Sequence, residues 1–126
     1  MNISNNLLQG TIPEAIFKCD ELQRIDVSQN TFNSTIPANI GSLSSLQIVR
    51  LNQNKLEGRL PVELFNAQQI EELVVSSNEL TGSIPTQIEK LQNVAILSFN
   101  HNSFKGIIPN ELKNLTKLKL NVYKAR

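Results

Sequence analysis

The sequence predicts an α/β solenoid, a stack of similar coils in which a short strand alternates with a short helical return. Three observations predict it. All five prolines of the 126-residue chain stand 24 residues apart, at Pro13, Pro37, Pro61, Pro85 and Pro109. Seven residues before each proline lies an asparagine: Asn6, Asn30, Asn54, Asn78 and Asn102. Apolar side chains recur at fixed distances on both sides of these marks, and no insertion or deletion disturbs the register from Ile3 to Leu118. A constant period of roughly 20–50 residues is the signature of a repeat architecture.

Each element follows from its own residues. The pairs Ile25/Val27, Val49/Leu51, Leu73/Val75 and Leu97/Phe99 are spaced by two, as in a strand with one buried face. Leu22, Leu46, Ile70 and Val94 precede them. After the asparagine come Leu8, Phe32, Leu56, Leu80 and Phe104, then Gly10, Gly58, Gly82 and Gly106, with Ser34 as the one substitution. Ile12, Ile36, Leu60, Ile84 and Ile108 stand directly before the prolines. Ile16, Ile40, Leu64, Ile88 and Leu112 follow three residues after them, at helical spacing. A coil of this length cannot bury its own apolar face, so neighbouring coils must supply the core. An asparagine amide donates and accepts, which suits backbone groups left unpaired where a strand bends away. We therefore expect Asn6, Asn30, Asn54, Asn78 and Asn102 to form a ladder through the interior. Cys19 shares a repeat position with Leu43, Ala67, Leu91 and Leu115 and is expected to be buried. Phe17 and Phe65 share a position on the outer turn and are expected to pack against its neighbours.

The repeat covers residues 1–126 as one domain, with irregular ends. Met1 and Ile3 fill the inward strand slots of an incomplete first repeat at residues 1–5, with no capping segment before it. Within residues 119–126 the next inward slots fall on Asn121 and Tyr123, and Arg126 stands where a turn asparagine belongs. Leu118, Leu120 and Val122 meanwhile alternate by two, as if one residue were missing. A one-residue slip exchanges the two faces of a strand. Either a bulge restores the burial or this end is frayed. Uncapped ends favour a piece of a longer protein, flanked there by further repeats or caps.

The pattern resembles the plant-type leucine-rich repeat, LxxLxxLxLxxNxLxGxIP, over nearly the whole chain. Gly-x-Ile-Pro is the element that marks this subclass. The resemblance implies a right-handed horseshoe segment with a parallel sheet on its concave side and short helical or 3₁₀ turns outside. It also implies a small second strand at the Gly-x-Ile-Pro segment. Carried over position by position, the concave face presents Arg24, Asp26, Ser28 and Gln29, then Ile48, Arg50, Asn52 and Gln53. Glu72, Val74, Ser76 and Ser77 follow, then Ile96, Ser98, Asn100 and His101. Ile48, Val74 and Ile96 are expected to form one exposed apolar column that anchors a partner, because a few apolar anchors dominate binding energy.

Composition removes several classes of function. Twelve Lys and Arg against eleven Asp and Glu leave a net charge of +1, too neutral for a nucleic-acid-binding stripe. Lys113, Lys117, Lys119, Lys124 and Arg126 read as a solvated basic end. One cysteine excludes an internal disulfide and most zinc sites. No apolar run approaches the ~20 residues that span a bilayer, so no membrane insertion is expected within this segment, and no secretory signal opens it. No phosphate-binding loop, nucleophile elbow, zinc-protease motif or kinase signature occurs, and His101, the lone histidine, has no charged partner nearby in the repeat. We expect a non-enzyme without cofactors. Sequons at Asn2, Asn33 and Asn114 are candidates for N-glycosylation, and the repeat positions of Asn33 and Asn114 are expected to face solvent.

The expected function is recognition of a peptide, protein ligand or co-receptor. The resemblance points to the extracellular region of a receptor-like kinase or receptor-like protein, at the cell surface or outside the cell. A soluble inhibitor similar to the polygalacturonase-inhibiting proteins, a surface-binding protein with hydroxyl ladders, and an uncapped non-functional fragment are the alternatives. Against the hydroxyl ladder, the column Thr11, Thr35, Arg59, Ser83, Ile107 is irregular.

Overall fold

The structure, a computed structural model, describes residues 1–122. It is a solenoid built from two strand systems and one row of 3₁₀ returns. The principal sheet is parallel and contains β2 (Arg24–Asp26), β4 (Ile48–Arg50), β6 (Glu72–Val74), β8 (Ile96–Ser98) and β9 (Leu120–Val122), in that order. A bridge between Asn2 and Asp26 extends the ladder to the first residues. Each strand pairs with the residue 24 places on, as in Val49↔Leu73. Smaller parallel pairs form at the Gly-x-Ile-Pro side. There β1 (Gln9–Gly10) meets β3 (Thr31–Phe32), and β5 (Glu57–Arg59) meets β7 (Glu79–Thr81).

Five 3₁₀ helices close the coils: η1 (Glu14–Lys18), η2 (Ala38–Ser42), η3 (Val62–Asn66), η4 (Thr86–Lys90) and η5 (Asn110–Asn114). Each begins directly after a proline with φ between −60° and −69°. Proline lacks an N–H, which the start of a helix does not need, and its carbonyl is free to accept. Ile16, Ile40, Leu64, Ile88 and Leu112 donate to those five proline carbonyls at 3.1–3.3 Å. The next turn repeats the device, with Leu46 N–H on the Leu43 carbonyl at 3.2 Å. A short return of i→i+3 bonds is thus what the Pro-x-x-apolar spacing produces.

The core lies between the principal sheet and the returns. Ile25, Val27, Val49, Leu51, Leu73, Val75, Leu97 and Phe99 all point inward and are buried. Phe17 and Phe65 are buried as well. Between them, at the same repeat position, stands Gly41, where the chain approaches η3 so closely that an added Cβ would lie 1.8 Å from the Glu63 carbonyl oxygen. Only glycine fits there.

The second strand system follows a different register. Its partners are 22 residues apart, as in Gln9↔Thr31 and Gly58↔Leu80. Equivalent residues of successive coils are therefore displaced by two positions along these strands, about 6.6 Å at the usual rise. The side chain between glycine and isoleucine consequently lies over the glycine of the following coil. Thr35 Cγ2 is 2.8 Å and Arg59 Cγ 2.9 Å from where a Cβ would stand on Gly58 and Gly82. Those glycines have φ of +78° and +77°, so a side chain there meets both strain and collision.

Two expectations are corrected at the first coil. Cys19 is exposed, whereas Leu43, Ala67 and Leu91 are fully buried. Asn6 is also exposed rather than interior. Both lie in the first coil of this chain, where the one neighbouring coil covers Ile12 and Phe17 but not Asn6 or Cys19. At the other end, β9 keeps the 24-residue pairing with β8, with Leu97↔Asn121 and Ser98↔Val122. No bulge intervenes: the backbone holds its register even where the apolar pattern slips. Tyr123 and Arg126 lie outside the described residues.

Candidate recognition surface

Asparagines hold the bend behind the principal sheet. Asn54 donates through Nδ2 to the carbonyls of Leu51 and Asn52 in its own coil and of Val27 in the preceding one, at 3.2, 3.3 and 3.0 Å. Its Oδ1 accepts the N–H of Phe32, also in the preceding coil, at 3.0 Å. Asn30, Asn78 and Asn102 repeat this arrangement, accepting from Leu8, Leu56 and Leu80. The Asn6 side chain bonds only the carbonyls of Ile3 and Ser4 in its own coil. The residue before each asparagine pays for the tight bend with a left-handed backbone: Asn5, Gln29, Gln53, Ser77 and His101 all have φ of 55–58°. Non-glycine residues seldom adopt this region, and the sequence shows no common residue type there to announce it. Gln29, Gln53, Ser77 and His101 therefore stand on the bend at the rim of the sheet.

The outward strand positions form three columns by register. Arg24, Ile48, Glu72 and Ile96 make one, and Asp26, Arg50, Val74 and Ser98 the next. Ser28, Asn52, Ser76 and Asn100 follow at the same spacing. The single apolar column expected from sequence is thus corrected. Ile48 and Ile96 share a column with Glu72 between them, and Val74 stands in the adjacent column. All three are half-buried.

Charge is concentrated at one end of this face. Asp26 Oδ2 receives Arg24 Nη2 at 3.3 Å and lies 3.6 Å from Arg50 Nη1. Arg50 also grips Glu72 with two nitrogens, Nε to Oε2 and Nη2 to Oε1, the latter at 3.2 Å. Asp26 Oδ1 accepts both the backbone N–H and the hydroxyl of Ser28, at 3.2 and 2.6 Å. Asp26 and Ser28, expected to be presented to a partner, are instead buried, Asp26 to 4% exposure. Burial pushes the Asp26 pKa up, but the Ser28 bonds and the two guanidiniums outweigh it and leave the carboxyl below its ordinary value. The bonds from Glu72 hold the Arg50 pKa above its own. Two positive and two negative groups thus neutralise one another across three coils. The remainder of the face is uncharged, made of Val74, Ser76, Ile96, Ser98 and Asn100, with Ser98 Oγ on Asn100 Oδ1 at 2.9 Å. The sequence carried one clue to this chain of charges: Asp26 and Arg50 are one full repeat apart.

The sequon asparagines Asn2, Asn33 and Asn114 are exposed. Among the described residues no cluster of potential metal ligands occurs, and no helix is long and apolar enough to cross a membrane.

Residues 1–19, 21–43, 69–91 and 93–115 match the Leucine Rich Repeat family, and the chain belongs to it. Its repeats are structural and recognition units without catalytic machinery, and this segment is not an enzyme. Among solved structures, the chain is similar to PEPR1 in its complex with AtPEP1, at 34% identity and a TM-score of 0.93 over 95% of this chain and 17% of that one. The Arabidopsis receptor kinase HAESA, in complex with the peptide hormone IDA and the co-receptor SERK1, gives 34% and 0.92 over 96% and 21%. The BIR2 ectodomain from Arabidopsis thaliana gives 27% and 0.86 over 99% and 68%. The chain spans about a fifth of the length of the first two. No curated protein matches it.

Proposed function

We propose that this chain is part of the extracellular recognition surface of a plant receptor-like kinase or receptor-like protein, and that its principal sheet contacts a peptide or protein partner. The supporting observation is the coil-for-coil likeness to HAESA, whose structure holds a peptide hormone and a co-receptor. The uncharged half of the face, with half-buried Val74 and Ile96 among serines and Asn100, offers apolar anchors within a hydrogen-bonding surround. Exposed sequons at Asn33 and Asn114 agree with an extracellular, glycosylated parent. Display of the chain on yeast and selection from a random peptide library tests the reading. Selected peptides are expected to lose binding to the Ser76→Arg and Ser98→Arg variants, whose melting temperatures stay near that of the parent chain. Peptides indifferent to both substitutions would remove the sheet face as the site.

A further inference from the structure

The side of the solenoid away from the principal sheet carries a second surface. A groove of about 630 Å³ runs along the Gly-x-Ile-Pro edge of the Asn54, Asn78 and Asn102 coils. Gly82 and its neighbours line it, with Arg59 from the preceding coil and Lys105 from the following one. The stagger of the second strand system brings them there. The Arg59 stem lies over Gly82 from the preceding coil, with Cδ at 3.3 Å and Nε at 3.5 Å from the position of a Cβ. From the following coil, Lys105 N–H bonds the Gly82 carbonyl at 2.7 Å. The Arg59 side chain and the Lys105 backbone, two coils apart in sequence, thus meet at one residue, and both residues line the groove. Both are exposed, and among the described residues neither side chain has a hydrogen-bond or ion-pair partner. Glu57 and Glu79, the carboxylates of the second strand system, do not line the groove. Ser83 and Thr86 add exposed hydroxyls, and Val62, 45% exposed, adds an apolar rim.

We infer that this lateral groove is a second docking site, and that it takes an acidic segment of a partner protein. The charge argument is local. The chain as a whole is nearly neutral at +1, and the principal sheet neutralises its own charges, yet the groove holds two cations and no acid. Partners recognised this way are steered by complementary potential, and the contact weakens with salt. The Val62 rim favours a segment in which carboxylates alternate with apolar side chains over a purely anionic polymer.

The test uses the whole ¹⁵N-labelled chain and a ten-residue peptide of alternating glutamate and valine, followed by NMR. Amide shifts are expected at Gly82, Ser83, Thr86 and Gly106 and not on the principal sheet. Affinity is expected to fall severalfold on moving from low to physiological salt. Arg59→Gln with Lys105→Gln keeps the stems and removes the charges; it is expected to weaken binding at least tenfold without moving the melting temperature. Ser98→Arg, on the other face, is expected to leave it unchanged, which separates this site from the sheet-face reading. Equal binding of a glutamine–valine peptide, shifts confined to the sheet, or tighter binding of polygalacturonate than of the peptide would each overturn the inference.

Discussion

The first coil and the Asn54 coil are written in nearly the same pattern, and the structure treats them differently. Both have a turn asparagine, a glycine before Ile-Pro or Leu-Pro, and a 3₁₀ return. In the Asn54 coil, Leu51, Leu56, Leu60 and Leu64 are buried, and the asparagine bonds two coils. In the first coil Leu8 and Cys19 are exposed, and the Asn6 side chain bonds its own coil alone. Residue type alone does not make the core of a solenoid; the covering coil decides which positions close, and here the following coil closes over Ile12 and Phe17 and leaves Leu8 and Cys19 open. Stability of such a stack is accordingly a sum over interfaces more than over residues.

Four substitutions sharpen that comparison. Leu43→Ala is expected to cost about 2–5 kcal/mol, the range for emptying a buried leucine site. Cys19→Ala at the same repeat position is expected to stay within about 0.5 kcal/mol, as for surface changes. Urea unfolding of both variants measures the gap, and similar midpoints would break the comparison. Next, Asn54→Ala is expected to cost about 1–3 kcal/mol, because it leaves the buried Phe32 N–H of the preceding coil without its acceptor and takes one donor from carbonyls of two coils. Asn6→Ala should cost clearly less by thermal melting.

Asp26 supplies a pH dependence. Its folded pKa is lowered, so it contributes stability that is complete above the unfolded value of about 3.9 and is lost as pH falls through the folded one. Asp26→Asn is therefore expected to lower stability by about 1–2 kcal/mol at pH 7, with the difference from the parent chain closing as pH falls through the lowered folded pKa. A deficit that stays constant with pH would place the Asp26 effect in packing and not in charge. Smallest is Ser34→Gly, at the junction of the first coil with the next. Ser34 has φ of +72° where the other coils carry glycine, and its replacement is expected to raise stability by up to about 1 kcal/mol. A lower melting temperature would show that the serine contributes something beyond filling that position.

The strands, bends and returns were legible because every coil repeats the same apolar spacing, and the 24-residue pairing of β2, β4, β6, β8 and β9 follows from it. The second register was not legible. A period of 24 says nothing of how far the chain tilts between two sheets, and that stagger is what lays Arg59 over Gly82. Gly41 gave no signal either, since close approach to Glu63 depends on how two returns meet. On the candidate surface, sequence alternation placed Asp26, Arg50 and Val74 on the outward side of their strands. It did not separate outward from accessible: Asp26 faces out and is covered by the charges it binds. Nor did it fix columns, because Ile48 and Val74 differ by two positions along the strand. Asn6 and Cys19 misled for the reason given above, as their patterns presuppose a neighbour.

Amide hydrogen exchange in the Asn54→Ala variant tests the bridging of coils most directly. If the side chain of one coil holds the backbone of the coil before it, the Phe32 N–H loses protection while Leu80 N–H, held by Asn102, keeps it. Unchanged protection at Phe32 would contradict the account, for it would mean that the coils are joined by strand pairing and apolar contact alone.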